Sequence, residues 1–267
     1  MLVKGRKPSD VPASRLGLLN TGKVETEHLA EWLAVDMADL LRAVLPALGL
    51  ANRRSFITSE LHGADQLGVT ARLARIGSIL FEATERDWES SANALAGHRS
   101  DVVRQWGAYV VAAVPLLALP VRLNALRRFA ADQNMSVREC AWMAFRPFLA
   151  AELEVGLDLL QSWSFDNDAR IRRFASEVSR PRGVWCAHIK SLKKSPELGL
   201  PLLEPLRADP HLYVRRSVGN WLNDASKSAP AWVRATSDRW LRESDNPATR
   251  QIVRRGLRTL AGVSRSS

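Results

Sequence analysis

Apolar residues recur along this chain at helical spacing, and strand-like alternation is nearly absent. From Glu25 to Leu48 the positions Leu29, Leu33, Met37, Leu40, Leu41 and Val44 share one helical face, with a cap in the segment Thr26 to Leu29. No Asn-Gly or Asp-Gly turn joins two alternating runs, so no hairpin is predicted. Ala, Leu and Arg, which are strong helix formers, dominate. The whole chain reads as helical.

One polar-apolar pattern repeats. His98-Arg-Ser-Asp-Val-Val103-Arg104 aligns with Asp132-Gln-Asn-Met-Ser-Val137-Arg138. Asp166-Asn-Asp-Ala-Arg-Ile171-Arg172-Arg173 and Asp209-Pro-His-Leu-Tyr-Val214-Arg215-Arg216 follow, and a weaker copy starts at Asp245. The copies start 34, 34, 43 and 36 residues apart. Each is a polar turn, an aliphatic residue, a basic residue and an apolar helix. A further helix is predicted before each turn, over 119–130, 153–163, 198–206 and 231–241. Two helices per unit at a period of about 40 residues is the signature of HEAT-like repeats. One such pair cannot bury its apolar face alone, so the units are expected to stack into an all-α solenoid, an α-α superhelix with a concave basic face. Residues 1–21 are polar and basic and read as a flexible arm; residues 22–262 read as a single repeat domain.

Charge narrows the partners. Lys and Arg number 38 against 28 Asp and Glu, a formal net charge of +10, which favours a polyanion, nucleic acid before membrane. The longest apolar run, 107–121, holds Pro115 and Pro120 and is shorter than the roughly 20 residues a membrane span needs. The basic N-terminus has no apolar core of a secretory signal. Cys140 and Cys186 lie in different segments and read as reduced thiols of a cytoplasmic protein. The five histidines show no metal-ligand spacing, and no phosphate-binding loop, dinucleotide fingerprint or nucleophile elbow is present, so no metal or cofactor is expected.

Arg104, Arg138, Arg172, Arg173, Arg215 and Arg216 open the second helices of their repeats. Two roles are open to them: bonding to neighbouring Asp side chains to set repeat stacking, or a ladder of cations along a phosphate backbone. Other stretches add candidates. Glu139, Trp142 and Arg146 share a helical stripe, as do Arg216, Asn220 and Asp224. Trp185 follows Arg180, Arg182 and Gly183 in a loop.

The chain resembles the AlkC/AlkD group of HEAT-like DNA glycosylases, and the AlkC branch most. The resemblance covers roughly residues 16–260. It rests on Leu19-Asn20-Thr21-Gly22, Glu25-Thr26, Leu33-Ala34-Val35-Asp36, His62-Gly63 and His98 to Arg104. It continues in Val137-Arg138-Glu139, Ala144-Phe145-Arg146-Pro147, Arg173-Phe174-Ala175-Ser176-Glu177, Arg180-Pro181-Arg182 and Asn220 to Lys227. The Arg-Pro-Arg and Asn-Trp-Leu-Asn-Asp segments are the specific ones. The resemblance implies monofunctional excision of cationic N-alkylated bases, chiefly 3-methyladenine, from double-stranded DNA, with the base left in the duplex. It implies catalytic roles for Glu139, Asp224 and Trp185. DNA contacts are expected from the six repeat-opening arginines and from Trp142, Arg146, Arg180, Arg182, Asn220 and Lys227. Cys140 stands where the family has an aromatic.

The chemistry suits these residue types. A base alkylated on a ring nitrogen is cationic and already a good leaving group, so its excision needs no strong acid. A carboxylate and electron-rich rings stabilise the oxocarbenium sugar that develops. A positioned carboxylate also orients water, and a Trp face attracts a cation. The resulting expectation is a monomeric, cytoplasmic, nucleoid-associated base-excision-repair enzyme. A non-catalytic HEAT-repeat module that binds nucleic acid or protein is the alternative, since the fold serves both.

Overall fold

The computed structural model describes residues 7–183 and 185–263. The first six residues of the expected arm and Val184 of the Arg-Pro-Arg loop lie outside them. The described residues contain helices and turns and no strand. They divide into two compact units, 1–118 with 132–144, and 119–131 with 145–267.

The first unit holds α1 (Ala13–Leu19), α2 (Leu29–Ala34), α3 (Met37–Val44), α4 (Arg54–Glu60), α5 (Val69–Ala83), α6 (Trp88–Ala96) and α7 (Asp101–Ala113). The single helix expected around 29–44 is two. Asp36 stops the first and caps the second, its Oδ1 accepting from the amides of Ala38 and Asp39. Thr26 caps neither helix. Its amide and hydroxyl both donate to Asp101, at 2.9 and 2.6 Å, while His28 caps α2. Within the stretch read as an arm, α1 is anchored by Arg15, whose Nε donates to Glu31 at 2.8 Å. α7 is buried along most of its length against α5 and α6.

Next come α8 (Leu119–Ala130), α9 (Met135–Ala151), α10 (Leu153–Trp163), α11 (Ala169–Val178), α12 (Lys190–Lys194) and α13 (Leu200–Leu203). The chain continues through α14 (Leu212–Ser226), α15 (Pro230–Glu243), α16 (Pro247–Gly256) and α17 (Arg258–Val263). The helices predicted over 119–130, 153–163 and 231–241 are α8, α10 and α15. The one predicted over 198–206 is broken: only Leu200–Leu203 is α-helical, between 3-10 turns at Pro196–Gly199 and Glu204–Leu206. Pro196, Pro201 and Pro205 each remove an amide donor there. In the second unit α14 is central, packed on α11, α15 and α16, and Trp221 is fully buried on it.

The repeat turn has one construction. An aspartate accepts from the amide two residues on: Asp132 from Asn134, Asp166 from Asp168, Asp209 from His211. That second residue then caps the helix, as Asn134 does for Ser136, Asp168 for Arg170 and His211 for Tyr213. In the last copy Ser244 takes the aspartate's place and Asn246 caps, so the copy starts one residue earlier than the alignment on Asp245. Backbone amides at these turns are thereby satisfied by side chains.

Candidate functional site

The repeat-opening arginines complete the turns. Arg104 donates through Nη1 to the carbonyls of His98 and Arg99, Arg138 to those of Asp132 and Gln133, Arg172 to Asp166 and Asn167, and Arg215 to Asp209 and Pro210. Arg104 and Arg172 also reach the aspartate of the following turn, Asp132 and Asp209, at 2.8 and 2.6 Å. Arg215 reaches Gln251 instead, at 3.0 Å. For Arg104 and Arg172 the structure shows the stacking bond to a neighbouring aspartate. Burial would lower Arg104, but Asp132 and Glu25 outweigh it and hold the guanidinium above its ordinary pKa.

The second arginines diverge. Arg173 is buried. Its guanidinium is 3.4 Å from Glu177 and lies over the Tyr213 ring, 4.7 Å from the ring centre. Arg216 is exposed and makes no hydrogen bond or ion pair with another described residue.

On α9, Glu139 and Trp142 meet: the indole Nε1 donates to the Glu139 carboxylate at 2.9 Å. Trp142 is buried, with its indole turned to Glu139. Cys140 is buried beside them and donates to Gln105 Oε1, which also accepts from Trp32. Arg146 is interior as well. It donates to the carbonyls of Ala187, Val178 and Arg180, at 3.0, 2.6 and 2.7 Å, and so clamps both ends of the Arg-Pro-Arg loop. Burial holds this guanidinium below its ordinary pKa.

The second unit brings Arg180, Arg182, Asp224 and Lys227 together. Asp224, on α14, is only 4% exposed. Its Oδ2 accepts from Arg180 at 2.8 Å, its Oδ1 lies 3.8 Å from Lys227, and its carbonyl accepts from Arg182 at 3.2 Å. Arg182 continues to Ser228. The loop that these two arginines fasten to α14 exposes Trp185, at 61%. An exposed indole on a tethered loop is available to a ring or cation.

Behind this cluster lies Glu177, which sequence reasoning did not place in the site. It sits 2.5 Å from Arg180 and accepts from Ser217 at 2.7 Å. Burial alone would raise its carboxyl. The charges of Arg173 and Arg180, with the Ser217 bond, outweigh burial and leave it below the ordinary value. Its signal in the sequence was its i,i+4 spacing from Arg173 and i,i+3 spacing from Arg180.

Asn220 is engaged by Arg255, whose Nε donates to its Oδ1 at 2.8 Å. Arg255 belongs to a second group the sequence reading left out. Arg254, Arg255 and Arg258 join Arg215 and Arg216 around an open groove of about 320 Å³. Gly219 allows the approach: a Cβ there would meet the Arg255 side chain at 2.8 Å. Among the described residues no group of His, Cys, Asp or Glu is placed to hold a metal, and no helix is long and apolar enough to cross a membrane.

The chain has the AlkC/AlkD-type helical-repeat fold. It is similar to the Pseudomonas fluorescens alkylpurine DNA glycosylase AlkC bound to DNA containing an abasic site analog. The two superpose with a TM-score of 0.73 at 30% identity over 84% of this chain and 63% of that one. Streptococcus mutans AlkD2 matches with a TM-score of 0.58 at 19% identity, over 76% of this chain and 97% of that one. Of these two, AlkC is the more similar, as the motifs imply. Among curated proteins the chain is 44% identical over 117 residues to the Bacillus subtilis uncharacterized protein YhaZ, 44% of this chain and 32% of that one. It therefore spans about a third of that relative's length and less than two thirds of the AlkC chain. No family model matches it.

Proposed function

We propose that this chain is a monofunctional DNA glycosylase of alkylation repair. It acts as a monomer on nucleoid DNA in the cytoplasm, without a cofactor. Its substrate is a cationic N-alkylated base, 3-methyladenine among them, in duplex DNA, and the base stays in the duplex while its bond to the sugar breaks. The observation that carries this reading is the Asp224 carboxylate, fastened through Arg180 to the loop that exposes Trp185. The likeness to AlkC supplies the reaction class.

The C1′–N bond breaks with its electron pair going to the base, which leaves uncharged. The sugar becomes an oxocarbenium ion, water adds at C1′, and a proton is lost. Asp224 opposes the charge that develops on the sugar. Arg180 and Lys227 hold that carboxylate in place at no reorganisation cost during the reaction. Trp185 offers its ring face to the cationic base or sugar. Glu139, held by Trp142, is the second carboxylate of the proposal, and its role would be to orient the water. The test is release of free methylated base from alkylated duplex DNA by the wild type and by Asp224→Asn and Glu139→Gln. Binding without release would instead favour the non-catalytic module.

A further inference from the structure

Many arginines of this chain sit against a carboxylate. Arg104, Arg127, Arg172, Arg173 and Arg180 all do so, and the exposed Arg42, Arg75 and Arg86 do so as well. The groove between α14 and the α16–α17 segment gathers arginines that do not. Arg215, Arg216, Arg254, Arg255 and Arg258 line it, and none of the five is ion-paired to a described residue. Arg215 and Arg255 are steadied by the neutral side chains of Gln251 and Asn220, and Arg258 donates only to the carbonyl of Arg255. Arg216 and Arg254 make no hydrogen bond to another described residue. The sequence offers no acid to answer them: no Asp or Glu lies from Leu212 to Asn223, or from Asn246 to Val263.

Arg250, Arg254 and Arg258 also recur every four residues, a like-charge spacing that destabilises an isolated helix. Burial and the charge of Arg255 press on Arg258, while Asp224 acts on it in the opposite sense. Asn223, next to Asp224 on α14, donates to the Gly256 carbonyl and the Thr259 hydroxyl, so the segment that carries Arg258 packs beside the carboxylate proposed for the chemistry. Five cations held together with no protein anion are complementary to an anion from outside. The groove is open and lined from two helix segments, which suits a strand more than a closed small-ion pocket.

We infer that this groove grips consecutive phosphates of one strand of duplex DNA, with Arg216 and Arg254 as its free cations and Arg215, Arg255 and Arg258 as its oriented ones. The inference rests on the nucleic-acid part of the reading above and not on base excision. It adds Arg254, Arg255 and Arg258 to the interface.

The test uses the full chain and a lesion-free duplex, so it stands apart from any failure to release a base. For Arg216→Gln/Arg254→Gln, affinity at moderate salt should fall on the order of tenfold. The log–log salt slope should become shallower by about 1.8, at about 0.9 per phosphate released. The melting temperature should hold or rise. The control Arg42→Gln/Arg86→Gln removes the same charge from paired sites and should change affinity less than twofold. Wild-type affinity and slope in the groove variant would overturn the assignment, as would an equal loss in the control or a wild type that binds no lesion-free duplex. Inorganic phosphate should displace the duplex no better than chloride at matched ionic strength. Stronger displacement would mark a small-anion pocket and overturn the strand assignment.

Discussion

Arg173 and Arg216 hold the same place in successive repeats and end in opposite environments. Four residues after Arg173 stands Glu177; four residues after Arg216 stands Asn220. Arg173 is drawn inside, over Tyr213 and against Glu177, and becomes part of a buried chain of charges that runs through Arg180 to Asp224. Arg216 finds no acid and stays at the rim of a groove whose other cations are also unpaired. One carboxylate one helical turn away decides whether the arginine builds the fold or faces outward. A buried charge is tolerated only when paired, and an unpaired one keeps its water.

The largest expected effect breaks the paired side. Glu177→Gln leaves Arg173 and Arg180 buried with one carboxylate fewer, and removing one partner of a buried ion pair costs about 3–5 kcal/mol. Urea unfolding should show that loss, while Arg216→Gln should stay within about 0.5 kcal/mol of the wild type. An equal effect of the two substitutions would erase the distinction.

The same carboxylate sets a pH signature. Its pKa is depressed in the folded state, so its stabilisation is complete above the unfolded value of about 4.3. The stabilisation is lost as pH falls through that value toward the folded one. Glu177→Gln should flatten this part of the stability-pH curve. A wild-type curve with no such fall would show that Glu177 is not held ionised.

How much of this was legible in the sequence follows from range. The repeat was visible because its turn residues are local: aspartate, cap and arginine lie within seven residues of one another, and their bonds are made within the same turn. The broken helix before α14 was also written in Pro196, Pro201 and Pro205, which the apolar pattern outweighed. The fate of each arginine was not legible, because it depends on what the next repeat presents. Arg172 meets Asp209, Arg215 meets Gln251, and Arg146 meets three backbone carbonyls. Trp142 and Trp185 illustrate the same limit. One is packed in the core and the other stands on a loop.

A smaller effect tests how the groove is assembled. Gly219→Ala places a methyl within 2.8 Å of Arg255 on α16, and overpacking of this kind costs about 1–3 kcal/mol. Thermal unfolding should shift accordingly, and duplex affinity should fall with the displaced arginine. An unchanged melting temperature would mean that Arg255 yields freely and that the groove is not rigidly held.

The smallest expected change in stability would convert one side of the comparison into the other. Asn220→Glu gives Arg216 the i,i+4 acid that Arg173 has, and such surface pairs contribute only about 0.2–0.5 kcal/mol. The informative readout is duplex binding, which should weaken as Arg216 and Arg255 acquire a protein anion. Binding at wild-type strength would show that neither arginine faces DNA.

Asp224 is proposed to serve bond cleavage and not only the fold. Base release from methylated duplex DNA under single-turnover conditions tests it directly. The wild type should liberate free cationic-lesion bases, and Asp224→Asn should do so at least about tenfold more slowly, a loss of about 1.4 kcal/mol of transition-state stabilisation. Duplex affinity should be held or raised, because a negative charge near the phosphates has gone. Release at the wild-type rate by Asp224→Asn, or no release by a wild type that binds the duplex, would contradict it.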